Sequence, residues 1–318
     1  MTMMNGRTAV IAIGGNSLIR DSMHQTVPDQ YIAANQTCRR VVAMIADGWR
    51  VAITHGNGPQ VGFILRRSEL AAHELHEVPM DVCGADTQGA IGYELQQNLY
   101  NEFRRHGIDR DAVTLVSQTE VAADDPAFSQ PSKPIGSFMD AEQAQRRRAE
   151  GWEIIEDANR GWRRVVPSPQ PLRIVELASI RRLLDDDVVV IAVGGGGIPV
   201  VADESGGLQG VAAVIDKDLA SALLASEIGA DLFIISTAVE KVALDFGTPR
   251  QRWVDHMTLA QAKEYLAEGR HFAAGSMRPK IQAVVSYLER GGTEALITDP
   301  DNLERAIAGQ TGTRISLA

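Results

Sequence analysis

The stretch Asp187-Val188-Val189-Val190-Ile191-Ala192-Val193-Gly194-Gly195-Gly196-Gly197-Ile198-Pro199 decides the fold. Its apolar run is rich in β-branched residues and lacks polar alternation, so it predicts a strand buried on both faces. A glycine turn ends it. The same grammar occurs twice nearer the N-terminus. Thr8-Ala9-Val10-Ile11-Ala12-Ile13 runs into Gly14-Gly15-Asn16-Ser17, and Arg50-Val51-Ala52-Ile53-Thr54 runs into His55-Gly56-Asn57-Gly58-Pro59-Gln60. Further strands are expected at 113–116, 231–236, 293–298 and 313–317.

Helical spacing separates them. Apolar residues recur at Tyr31, Ala34, Cys38, Val41 and Ile45, then at Ile91, Leu95, Leu99 and Phe103. Segments 173–184, 219–228, 258–268 and the stretch after Lys280 read the same way. Strands alternating with helices predict a mostly parallel sheet covered on both faces. In such sheets ligands sit beyond the C-terminal ends of the strands, where the three glycine turns fall. Consecutive turn amides there can cradle an anion. From 119 to 166 the texture changes. Proline punctuates it, residues 141–150 are charged and helical, and the segment reads as an excursion or lid with Trp152 and Trp162 in a small core. The run Arg146-Arg147-Arg148 reads as a solvated face.

The chain has 318 residues, 44% hydrophobic and 23% charged, with a net charge of -10. That balance argues against a nucleic-acid or anionic-membrane partner. Two cysteines, Cys38 and Cys83, form no disulfide framework. Residues 1–7 carry no secretory pattern, and no apolar run reaches the ~18–20 residues of a spanning helix. A reducing, cytoplasmic setting is expected.

Lysine is scarce: five against 26 arginines. One lies in Val214-Ile215-Asp216-Lys217-Asp218-Leu219-Ala220, between two acids and flanked by apolar residues. Two more, Lys133 and Lys280, sit in stretches punctuated by Gly and Pro. Lysines rarely approach a core unpaired. A compact, mobile ammonium suits a phosphoryl group in flight. No glycine turn is followed by Lys-Ser/Thr at P-loop spacing. The dinucleotide pattern fails at Asn16 and Pro199. No kinase catalytic loop, nucleophile elbow or histidine metal pair occurs. Glycine turns and isolated lysines remain, an inventory that fits phosphoryl transfer by positioning and charge neutralisation.

These residues resemble the carbamate kinases of the amino-acid-kinase superfamily over nearly the whole chain. The match rests on Gly14-Gly15-Asn16, residues 55–62, Thr87-Gln88-Gly89, residues 125–128, 131–136, 163–166, 194–200, 214–220, 246–249 and 275–280. The resemblance implies a three-layer αβα fold: an open, mostly parallel sheet of about eight strands with a protruding subdomain. Residues 1–318 would form one domain. An N-terminal half, about 1–185, would bind carbamate, with the inserted subdomain or lid at about 119–166. A C-terminal half, about 186–318, would bind nucleotide.

It implies reversible transfer between ATP with carbamate and ADP with carbamoyl phosphate, making ATP in catabolism, by a homodimer. Gly14, Gly15 and Asn16 would grip the phosphoryl group, and Gly56, Asn57 and Gly58 the carbamate. Lys133 would reach in from the subdomain. Lys217, organised by Asp218, would neutralise the transferring group, and Lys280 would act on the nucleotide phosphates. Gly194, Gly195, Gly196, Thr237, Val242 and Met277 would frame the nucleotide. Mg²⁺ would ride on the nucleotide phosphates without direct protein ligands.

The pattern departs at Ala238, where Asp is common, and at Ala243, where Tyr is common near the adenine side. It departs also at Arg278, Ser17 and Asp86. The alternatives are a superfamily relative acting on another small carboxylate, and a non-catalytic nucleotide-binding homologue.

Overall fold

The computed structural model describes residues 6–15, 26–157, 161–273 and 275–318. Its centre is an eight-stranded sheet. From one edge the strands are His256–Thr258, Thr313–Ser316, Glu294–Thr298, Leu232–Ser236, Thr8–Ile13, Arg50–His55, Val189–Ile191 and Ala112–Thr114. The first two run against the other six, because Glu294–Thr298 and Thr313–Ser316 pair antiparallel.

Successive side chains leave a strand on opposite faces. Val10 and Ala12 therefore join Val190, Phe233 and Ile235 in one core, under the helices Lys217–Ile228 and Met277–Glu289. Ala9, Ile11 and Ile13 join Ile53 and Ile234 in the other, under Val27–Ala46 and Met80–His106. A strand buried on both faces has no polar side to show, which is why these runs read as uninterrupted apolar residues.

Register brings the strand ends level. Ile13 pairs with both Ser236 and His55. The turns after those three strands therefore open on one edge of the sheet. A second sheet of four strands carries Gln118–Glu120, Arg173–Ile174, Ile198–Ala202 and Leu208–Gly210. The excursion forms a three-stranded sheet of its own: Lys133–Met139, Trp162–Val166 and Ile154–Glu156, with the helix Ala141–Ala149 against it.

Several elements differ from expectation. The segment from Arg173 starts as a two-residue strand, and its helix begins only at Leu177. The helix Gly58–Ala71 was not expected at all. Val61 is its one fully buried residue and Asn57 gives it no side-chain cap, so its signals are short: Pro59 in the first turn and Val61, Ile64 and Leu65 packed at helical spacing. Trp152 and Trp162 are only half-buried. The excursion's core is Ile135, Ala144, Ile154 and Val165. Arginines cover the two indoles instead. Arg147 and Arg164 lie over Trp152 at 5.2 and 4.5 Å, and Arg148 over Trp162 at 4.5 Å. The triple-arginine run is thus partly a packing surface and not a purely solvated one.

Candidate active site

Asp216 caps the helix Lys217–Ile228. Its Oδ1 accepts the backbone N–H of Asp218 at 2.9 Å and of Leu219 at 3.4 Å. The cap leaves Oδ2 free to take the Lys133 ammonium at 2.5 Å, across 83 residues of sequence. Two residues beyond the cap, within the first turn, Asp218 takes two cations. Lys217 Nζ donates to Oδ1, and Lys280 Nζ donates to Oδ2 at 2.9 Å. Lys280 reaches it from the first turn of Met277–Glu289. The three scarce lysines and two aspartates therefore form one chain of alternating charge, Lys133–Asp216 beside Lys217–Asp218–Lys280.

Burial makes the pairing strict. The Asp218 side chain is 4% exposed, and those of Lys217 and Lys280 are 12% and 17% exposed. Burial alone would push the Asp218 carboxyl up, but the two ammoniums outweigh it and hold it well below the usual carboxylate range. Burial likewise opposes the charge on Asp216, and Lys133 outweighs it, so Asp216 also stays ionised. Burial pushes Lys217 down from the ordinary lysine value, with Asp218 opposing and Lys280 adding to the fall. For Lys280 the same burial is outweighed by Asp218, and its value rises. Of the two lysines on Asp218, Lys217 is thus held less firmly in its charged form than Lys280.

The glycine turns surround this chain. A side chain at Gly56 would meet Lys217 Cδ at 3.4 Å and the Gly15 backbone N at 3.7 Å, so the Lys217 stem lies against the Gly56 turn, with Gly15 next to that turn. Ser221 fixes the start of the helix. Its Oγ donates to the Lys217 carbonyl at 2.5 Å and lies 2.5 Å from Thr54 Oγ1.

Other expected contributors stand differently. The Gly14 N–H donates to the Ser236 carbonyl at 3.1 Å, and the Gly56 N–H to the Ile13 carbonyl at 3.0 Å. These two amides extend the sheet ladder and do not form part of an anion cradle. Asn57 is buried, with Nδ2 donating to Thr87 Oγ1 at 2.9 Å. Gly58 opens its helix beside this point. Asn16 lies outside the described residues, as does Ser17.

Gly194, Gly195 and Gly196, expected around the nucleotide, are buried and closely packed. A Cβ at Gly194 would strike His55 Nε2 at 2.4 Å, one at Gly195 the Asn57 amide at 2.2 Å, and one at Gly196 the Ile215 carbonyl at 2.6 Å. Gln88 clamps the turn, donating to the carbonyls of Gly194 and Ser117 at 3.0 Å each. Val242 is likewise turned inward. Its side chain is fully buried in the core and its N–H donates to Thr313 Oγ1. Thr237 is half-buried, hydrogen-bonded through its N–H to the Thr298 carbonyl and adjacent to Gly14. Met277 opens its helix half-buried against the core.

Two contributors were not singled out from the sequence. Asp216 was seen only as a neighbour of Lys217, although an Asp one residue before a helix is a capping signal. The other is the pair Gly62 and Gly136. A Cβ on Gly62 would lie 2.2 Å from Gly136 Cα, so the helix Gly58–Ala71 and the strand bearing Lys133 touch backbone to backbone.

An open α/β sheet whose strand-end turns converge on paired lysines defines a phosphoryl-transfer class of protein. The sequence model described as the amino acid kinase family matches residues 7–299, and the chain belongs to that family, among its carbamate kinases. It is 45% identical over 313 residues to the carbamate kinase of Pyrococcus furiosus, covering 98% of this chain and 99% of that protein. It is 49% identical over 310 residues to the carbamate kinase-like protein YahI of Escherichia coli, covering 96% and 98%. The carbamate kinase of Giardia lamblia bound to AMP-PNP superposes with a TM-score of 0.90 at 38% identity, covering 98% of this chain and 99% of that one.

Proposed function

We propose that this chain catalyses reversible phosphoryl transfer between ATP with carbamate and ADP with carbamoyl phosphate. The observation that carries the reading is the convergence of Lys133, Lys217 and Lys280 on Asp216 and Asp218 beside Gly15 and Gly56. In the forward direction a carbamate oxygen forms a bond to the γ-phosphorus while the bond to the β–γ bridging oxygen breaks. The protein supplies no covalent partner. It holds donor and acceptor in line and neutralises charge on the transferring oxygens.

Lys217 is placed for the transferring group, because its stem lies against the Gly56 turn, beside Gly15. Lys280 serves the nucleotide phosphates from its own helix. Lys133 comes from the excursion, so its contribution depends on how that subdomain sits. Asp216 and Asp218 hold the three ammoniums in place until phosphate oxygens replace the carboxylates as partners. With both carboxylates already holding cations, Mg²⁺ is best carried by the nucleotide phosphates. The AMP-PNP complex of the Giardia relative supports an adenine nucleotide.

The working division is an N-terminal half of about 1–185 for carbamate, a lid of about 119–166, and a nucleotide half of about 186–318. A homodimer fits the outer face of the helix Met80–His106, where Tyr93 and nearby Val116 are 57% and 56% exposed. Two buried free thiols, Cys38 and Cys83, fit a cytoplasmic setting. In the cell the reaction would run toward ATP.

The test is ATP formation from ADP and carbamoyl phosphate. Wild type turns over, and Lys217→Ala loses about 10²-fold or more while remaining folded. Turnover within a few-fold of wild type in Lys217→Ala refutes the mechanism. No wild-type turnover alongside tight AMP-PNP binding refutes carbamate as the acceptor.

A further inference from the structure

A cavity of about 560 Å³ lies between the helix Gly58–Ala71 and the excursion, apart from the lysine–aspartate chain. That volume is within the range of small-ligand sites. Its walls combine aromatic surface with an excess of positive charge. Phe63 and Phe138 supply aromatic surface, and Trp152 lines the wall beneath Arg147 and Arg164. Five arginines and two glutamates line it.

The glutamates are already engaged. Glu69 takes Arg66 at 3.2 Å and Arg164 at 2.8 Å, and Glu150 takes Arg147 at 2.5 Å. Arg67 and Arg146 remain. Both are exposed, and among the described residues neither has an ion-pair partner. They stand on opposite walls, Arg67 on the helix Gly58–Ala71 and Arg146 on Ala141–Ala149.

We propose that this cavity is a second ligand site, for a small anion with a flat aromatic body, such as an aromatic carboxylate, sulfonate or phosphate. The ring would lie against Phe63 and Phe138, and the anion would take Arg67 and Arg146. A guanidinium from each wall on one anion closes the two walls together. The excursion wall includes Ile135 and Gly136, on the same strand as Lys133. An occupant therefore braces the segment that delivers Lys133 to Asp216. This site does not depend on which acceptor the lysines serve.

The probe is 8-anilinonaphthalene-1-sulfonate, titrated into the full chain with saturating AMP-PNP present to fill any nucleotide site. Binding is read from probe fluorescence and from quenching of tryptophan. The expected result is one saturable site. Arg67→Ala/Arg146→Ala weakens it at least about tenfold, and Arg67→Lys/Arg146→Lys recovers most of the loss. Neutral 1-anilinonaphthalene also binds at least about tenfold more weakly than the sulfonate. Equal binding by the double alanine variant, equal binding of the neutral probe, or no saturable site overturns the proposal. Because the readout is fluorescence and not turnover, failure here is distinct from failure of the proposed reaction.

Discussion

Asp218→Asn tests the site's electrostatics without changing its shape. The amide has nearly the volume of the carboxylate, so no cavity opens. What changes is the sign of the balance around two buried ammoniums. Lys280 Nζ lies 2.9 Å from Asp218 Oδ2, and Lys217 contacts the other oxygen. At an effective dielectric of ~20, one such contact contributes about 6 kcal/mol of attraction, before the cost of desolvation is subtracted. Removing one partner of a buried pair costs about 3–5 kcal/mol, because the other charge is left uncompensated. The two lysines keep some exposure and can shift toward water, so the lower end, about 3 kcal/mol, is expected. That is a large share of the ~5–15 kcal/mol that holds a typical protein folded.

The assay is urea unfolding in a phosphate-free buffer, repeated with inorganic phosphate. Phosphate should return most of the lost stability in Asp218→Asn, since an anion bound only by the native state adds about 2.7 kcal/mol at a hundred times its Kd. Wild type should gain less, because there Asp218 competes for the same ammoniums. The reasoning is refuted if Asp218→Asn matches wild type within about 0.5 kcal/mol. It is refuted equally if phosphate stabilises both proteins alike.

Gly62→Ala should part the excursion from the body, because the new Cβ would lie 2.2 Å from Gly136 Cα and 2.4 Å from its N, both backbone atoms. Withdrawal of Lys133 by about 1 Å is expected to lower kcat about 10- to 100-fold. Limited proteolysis should also speed up between residues 133 and 166, and an unchanged kcat and cleavage rate would contradict this. Glu94 is buried with one carboxylate oxygen lacking a hydrogen bond among the described residues, and burial raises its pKa to about 7 from an ordinary 4.5. A carboxyl whose folded value is raised stabilises fully below about pH 4.5, and the contribution disappears as pH rises through 7. Glu94→Gln should therefore be more stable than wild type at pH 8, by on the order of 2–3 kcal/mol, and lack that slope; thermal melts at pH 5 and pH 8 with the same slope in both proteins would rule it out.

Much of the fold was legible because strands buried on both faces are written in one kind of residue. Val189–Ile191 and Leu232–Ser236 could hardly be anything else. The helix Gly58–Ala71 was harder to read for the converse reason: only Val61 is fully buried, and its apolar spacing is confined to Val61, Ile64 and Leu65. The site was legible in its cations. Lysine's scarcity marked Lys133, Lys217 and Lys280 before any contact between them was known. Their pairing was not legible, because Asp216 meets Lys133 across 83 residues and Asp218 meets Lys280 across 62. A local reading sees only Asp-Lys-Asp.

Glycine points to a site less directly than lysine, and the reason is physical. Glycine at a position reports that a side chain would not fit or that φ is positive. It does not report what occupies the space. At Gly195, with φ at 67°, both conditions hold, and the neighbour is the Asn57 side chain. A phosphate oxygen at the same distance would have selected the same residue. Lysine is different, because an ammonium near a core needs a counter-charge and so predicts its own surroundings. Here that counter-charge comes from two aspartates on a single helix turn, one as cap and one inside. Cap and counter-ion are the same side chain in Asp216. The geometry that starts the helix therefore also sets where Lys133 is held, and moving the cap would move the cation.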